Sequence, residues 1–491
     1  MQGPISPLSA PVRLAASSIV ASLAALVLSA CGSSDSSTPA PAPAPTPTTQ
    51  LRAIHASSDA PNVDVLVNGA IALKNVPYET ASAFLQIPAG TTQIQVNPTG
   101  SSTSVINDTV SLAANQQYTA IAVGLVDPSA PSSEQISAVL VDDPGDAPAA
   151  GNVKVRVVHG APAVPAVDIY VTAPGVALPS SPTISALSYT SVAPASGSEA
   201  LQVPGGSYEI RATLAGQSTV VFDSGTVSLP ANADILVIAI PASGVSPVGL
   251  LVAAAGAPAA VVNDARAAIR VAHFSPNVPA VDVTLTDAAT SATPVTLTGV
   301  TYPNNSGYAV VPATTYNASV ALATSPSAAV LTLDGAALAA NTSTSVFAIG
   351  IAGATGSAAL QLAAFPDDRV PLETQAKVRV IHLSPDAPAV DVVALGSGGT
   401  IAATLVSNLS YPNATSSDLQ VAPGTYTLAV VPHGATSPVL PTSAGVTVTL
   451  TAGEVATVAA IGCLNPTSGV CATGDTGLTP QGFSLNLLSD N

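Results

Sequence analysis

Apolar and polar residues alternate over many short stretches of this 491-residue chain. In "VRVVH", residues 155–159, Val155, Val157 and His159 share one face of an extended segment and Arg156 lies opposite. In "VDIYV" just downstream, Asp168 is set against Val167, Ile169 and Val171. Paired runs such as "QYTAIAVG" with "ISAVLVDD" and "DILVIAIP" with "VGLLVAAAG" read as core strands, and "LQVPGGSYEIRA" as strand, turn and strand. No stretch holds a helical period, so the pattern predicts an all-β protein. Residues 235–263 carry no charge and are long enough for a membrane-spanning helix. Pro241, Pro247 and Pro258 break that run and Gly244 and Gly249 loosen it, so it reads as two strands and a loop, as does the neutral run 336–366.

The strand pattern recurs. "LRAIHASSDAPNVDV" begins at Leu51, "VRVVHGAPAVPAVDI" at Val155, "IRVAHFSPNVPAVDV" at Ile269 and "VRVIHLSPDAPAVDV" at Val378. Each copy places Arg three before His, Pro six after it and Asp nine after it. The four sets are Arg52, His55 and Asp64; Arg156, His159 and Asp168; Arg270, His273 and Asp282; and Arg379, His382 and Asp391. The histidines are 104, 114 and 109 residues apart, a period too long for solenoid repeats and suited to whole domains. A tyrosine follows each motif, Tyr78, Tyr189, Tyr302 and Tyr411, and then a strand–turn–strand run such as "LQVAPGTYTLAV".

This arrangement resembles a family of bacterial and archaeal surface proteins known as domain of unknown function 4397, on the R-x-x-H-x-S-P-x-x-P-x-V-D-V motif, the following Tyr and the L-x-V-P-x-G-x-Y pair. The resemblance runs over about residues 51 to 491 and implies no established activity. Ser58, Gly160, Ala161, Thr314 and Thr92 depart from the pattern. About seven short strands per unit predict four tandem antiparallel β-sandwiches, over 51–145, 153–255, 267–366 and 376–491. The junctions "VDDPGDAPAAGN", "AAAGAPAAVVNDARAA" and "AAFPDDRVPLETQA" are expected to carry few contacts, so that the units fold separately along a rod.

The Arg, His and Asp of the motif invite a search for chemistry. A hydrolytic triad would use Ser384, His382 and Asp391, but unit two has Ala161 at the serine position and no nucleophile elbow occurs. One His and one Asp per unit fall short of a zinc site. The acidic tracts "VDDPGD" and "FPDDRV" offer junction calcium sites or, more simply, solvated linkers. The stronger expectation is structural: the half-buried Arg and Asp pair to lock two strands, and His satisfies backbone groups at the bend. No catalytic residue, metal or cofactor is expected, and the protein is read as a non-enzyme.

The first 31 residues change the picture of where this fold sits. Arg13, the apolar run 14–30 and "LSAC" ending at Cys31 fit a signal peptide over 1–30 followed by a lipidated cysteine, as in bacterial lipoproteins. Gly32 after it favours the outer membrane. The Pro/Ser/Thr tract that completes 31–50 reads as an extended spacer. Cys463 and Cys471, eight apart in "GCLNPTSGVC", are expected to form a disulfide in that oxidising setting. Charged residues make up only 8% of the chain and the net charge is −17, which leaves no basic patch for nucleic acid. The reading is a lipid-anchored envelope protein for adhesion or surface interaction with an unknown protein or polysaccharide. The alternative is a periplasm-facing binding protein for a polysaccharide or other envelope component, with a hydrolase a distant third.

Overall fold

The computed structural model describes residues 46–491 except 144, 293–294, 373, 438–444, 474–477 and 491. Cys31, the expected signal peptide and all but the end of the spacer lie outside the described residues. Among the described residues strand makes up 56% and there is no α-helix, so the fold is all-β. Among the described residues there are eight sheets, which follow one another along the chain in four pairs.

Each motif begins the first sheet of a pair. In the third unit that sheet runs Asn305–Pro312, Arg266–His273, Ser343–Ile349, Gln361–Asp367, and the motif strand Arg266–His273 pairs in parallel with Ser343–Ile349. The chain then crosses at the proline bend to Val281–Asp287, in a second sheet with Val295–Val300, Thr315–Leu322 and Ser325–Ala337. Val271, Val283, Leu285, Val320 and Val346 fill the space between the two sheets. The alternation read from the sequence is what makes this possible, since every second residue of each strand faces the partner sheet.

The four units contain nine, ten, eight and nine described strands rather than about seven. Two features account for the excess. An exposed hairpin strand such as Ala70–Val76 lacks a buried face and leaves no clean apolar–polar alternation to read. The edge beside the motif strand is also split, as in Thr80–Ala81 and Leu85–Pro88. The opening strand Thr48–His55 starts inside the tract read as spacer, where Thr48 to Leu51 pair with Leu85–Pro88. The uncharged run 235–263 holds the strands Asp234–Pro241, Val248–Ala254 and Ala260–Val262, and no helix among the described residues is long and apolar enough to cross a membrane.

The expectation of separate units with few crossing contacts is corrected by the packing. Ile54, Ile121 and Val123 of the first unit share one buried cluster with Val158, Ile238, Ile240 and Leu251 of the second. Phe274, Phe347 and Ile349 of the third unit likewise pack with Ile381, Leu383, Ala459 and Ile461 of the fourth. The first sheets of neighbouring units are therefore covered on both faces, one by their own second sheet and one by the neighbour. The physical reason is visible in the strands themselves: Ile54, Val158, Ala272 and Ile381, each just before the histidine, are apolar on the face that also carries the arginine.

Candidate functional site: the Arg-x-x-His strand and its bend

The histidine closes the bend between the two sheets. Nε2 of His55, His159, His273 and His382 lies 3.1, 3.3, 2.9 and 3.0 Å from the carbonyl oxygen of the proline six residues on. A carbonyl only accepts, so Nε2 carries the proton. Burial holds all four imidazoles below the usual histidine pKa, which keeps them neutral. The following tyrosines meet these rings edge-on at 5.9 to 6.4 Å between centroids. Burial pushes the phenols of Tyr189, Tyr302 and Tyr411 up to about 12, so they too are uncharged packing partners.

The aspartate serves the second sheet. Asp391 accepts from the backbone N–H of Asn408 at 2.7 Å and of Gly434 at 3.1 Å, from Ser407 Oγ and from Nδ1 of His433. Burial opposes its ionisation, but these donors outweigh burial and hold the carboxyl down at about 2. Asp64 accepts from Asn75 and Gly100 N–H, Asp168 from Ala186 and Gly216, and Asp282 from Gly299. Asp64, Asp168 and Asp391 thus hold the strands or turns on both sides of their own strand, and Asp282 holds one side.

The arginine does not pair with that aspartate, which corrects the expected lock. The two sit on different sheets, and the arginine points away from the sandwich core toward the neighbouring unit. Across the parallel strand pair, Arg52 faces Thr119, Arg270 faces Ser345 and Arg379 faces Thr457, and in each case Nε donates to the hydroxyl. Arg156 faces Leu236, and its buried Nε has no partner. Its Nη atoms donate instead to the carbonyls of Pro194, Ala195 and Ser198.

The acids come from neighbouring units. Arg270 Nη2 meets Asp490 Oδ1 at 2.6 Å, and Arg379 Nη2 meets Asp367 Oδ1 at 2.6 Å. Asp143 and Asp368 pair with Lys154 and Lys377. The acidic tracts read as solvated linkers or calcium sites therefore give these carboxylates to buried cations.

Sequence reasoning passed over a second acid in the motif, four residues after the histidine. Asp59 accepts from Val126 and Asp127 N–H, and Asp386 accepts from Leu464 and Asn465 N–H. Asn277 holds Ala352 from the same place. The spacing H-x-S-x-D in units one and four was the available signal. Asp386 also lies near Cys463 and Cys471, a trio with ligand-like spacing. The two sulfurs are bonded to each other, at 2.04 Å, and Asp386 is spent on the backbone, so no thiolate remains to bind a metal. Closing so small a loop stabilises by roughly 2–3 kcal/mol on the chain-entropy model.

Comparisons with known proteins agree with the repeat. No curated protein matches the chain. Among solved structures, the Bacillus anthracis TIE protein aligns at 9% identity and a TM-score of 0.16, over 83% of this chain and 66% of that one. A product complex of the multi-modular glycogen-degrading pneumococcal virulence factor SpuA aligns at 9% identity and a TM-score of 0.15, over 56% of this chain and 36% of that one. The chain thus spans less than two thirds of either, and at such scores neither informs its fold or function. The family described as Domain of unknown function (DUF4397) matches residues 49–170, 183–284 and 267–393, most of the chain. Those matches take in every copy of the motif, and the chain belongs to the DUF4397 family as a tandem array of its β-sandwich modules.

Proposed function

We propose that this protein is a non-enzymatic, lipid-anchored component of the bacterial cell envelope whose tandem sandwiches serve adhesion or another surface interaction. One observation carries the reading: the repeated Arg, His and Asp are committed to backbone groups, hydroxyls and acids within the fold, while the loop beside the motif strand differs between copies, as in 194–200 of the second unit and 415–418 of the fourth. Modules with a common interior and varied edges suit recognition better than turnover. The lipobox at Cys31 and the spacer behind it support an anchored array presented away from the membrane.

Protease treatment of intact cells tests this. Release of fragments of residues 46–491 is expected, together with loss of the protein from the membrane fraction in a Cys31→Ala variant. Full protection in intact cells with cleavage after outer-membrane permeabilisation would favour the periplasm-facing role. Unchanged membrane partitioning of Cys31→Ala would remove the lipid anchor.

A further inference from the structure

The third sandwich is not filled like its sisters. Between its two sheets lies an apolar cavity of about 200 Å³, lined by Val271, Leu285, Tyr316, Leu333 and Val346 among others. The spaces between the sheets of the first and second units measure about 20 and 50 Å³. The Tyr316 hydroxyl donates to the Pro312 carbonyl at 2.8 Å, so Thr344 offers the one other side-chain hydroxyl of the lining. A water in a cavity needs about two to four polar partners, so this lining favours apolar matter. Ala337 and Ala364 stand on the edge strands of the two sheets, line the cavity and are exposed, so it opens to solvent on that flank.

Three alanines make the space. Opposite the residue three after the motif aspartate stand Ile94, Ile210 and Leu428 in the sister units, and Ala318 in the third. The residues paired with Thr92, Tyr208 and Tyr426 are Val110, Val227 and Val448, while Tyr316 pairs with Ala336. Leu140, Val252 and Leu487 hold one place beside Ala120, Val237 and Val458, and the third unit has Ala364 there, beside Val346. Against each sister unit these three positions together lack seven or eight side-chain carbons. Protein interiors are normally close-packed, so three truncations that converge on one cavity mark room for a ligand.

We infer that the third sandwich binds a small uncharged apolar molecule of about seven or eight carbons between its sheets, admitted past Ala337 and Ala364. Size sets the class from two directions. A dry apolar cavity of ~150 Å³ is enough for benzene, and the three alanines leave out as many carbons as toluene or ethylbenzene contains. No charged side chain lines the cavity, so a ligand that carried a charge would be buried without a partner. The inference goes beyond the surface-interaction reading and does not depend on it.

Methyl NMR on the full chain, in a steroid-based detergent too large for the cavity and with toluene as probe, tests the site. Saturable shifts are expected at the methyls of Val271, Leu285, Val346 and Leu362, with those of Val157 and Ile169 in the second unit unmoved and no shifts with benzoate. Ala318→Ile, which restores the residue of the first and second units, should weaken toluene binding about tenfold or more. Ala364→Leu, which restores the residue of the first and fourth units at the mouth, should do the same and serves if Ala318→Ile lowers the melting temperature. No saturable shift at the lining methyls, equal affinity in wild type and a folded filled variant, or equal affinity for benzoate would overturn the proposal. So would shifts of the same size in the second unit, which mark general partition into apolar interiors. None of these outcomes touches the protease experiment, which decides the surface-interaction reading separately.

Discussion

Arg270 and Asp490 lie 220 positions apart in the chain and form a buried ion pair, with Nη2 and Oδ1 2.6 Å from each other. Arg379 and Asp367 repeat the relation in reverse, so each unit of the third–fourth pair offers its arginine to the acid after or at the end of the other's last strand. Thr457 ties the two together, accepting from Arg379 and donating to Asp490 at 2.7 Å. A buried ion pair of this kind does little for net stability against an apolar substitute, but removing one partner strands a charge and costs about 3–5 kcal/mol. The arrangement therefore specifies which surfaces meet.

Thr457→Val should lower the stability of the fourth unit by about 2 kcal/mol. It removes the acceptor for two Arg379 donors and one donor to Asp490 while preserving shape. Denaturant unfolding of the full chain would register the loss as an earlier transition in the region that contains residues 376–490. A change within about 0.5 kcal/mol would show that the hydroxyl is dispensable.

Asp391→Ala should cost about 1–3 kcal/mol by stranding the N–H groups of Asn408 and Gly434, and Asp391→Asn should cost less because one acceptor oxygen remains. Neither zinc nor calcium should raise the melting temperature of wild type in a way that Asp391→Asn abolishes. Calorimetric titration of each metal beside thermal unfolding makes the comparison, and a metal-dependent stabilisation lost in Asp391→Asn would make the motif a site.

The four bend histidines predict a pH dependence. Burial lowers their pKa in the fold, so the unfolded chain binds protons that the folded chain refuses. Their contribution is complete above the unfolded value of about 6.5 and is lost as pH falls below it toward the folded value. The melting temperature should hold steady above about pH 7 and decline as pH falls from about 6.5 to about 5.5. His382→Gln, which keeps an N–H for the Pro388 carbonyl, should show a shallower decline, and an identical slope would remove the histidine from the account.

Much of this was legible from alternation and repetition. "VRVVH" placed Val155 and Val157 in the core with Arg156 opposite, and the four motifs set the spacing of the sandwiches. The apolar residue between each arginine and histidine also announced a second buried face, a signal the rod expectation overlooked. What spacing could not reveal was the identity of the arginine's partner. Asp391 was the obvious acid because it is near in sequence, yet the chain changes sheets between the two, and the true partner comes from another unit.

Hydrogen exchange read by mass spectrometry on an Asp490→Asn variant tests most directly the claim that the motif arginines of the third and fourth units join their two sandwiches. Asp490 follows the last strand of the fourth unit, while Arg270 lies in the opening strand of the third. The account predicts faster exchange in Arg266–His273 and Ser343–Ile349 of the third unit as well as in Ser484–Ser489, with the first two units unchanged. Faster exchange confined to the fourth unit would contradict it.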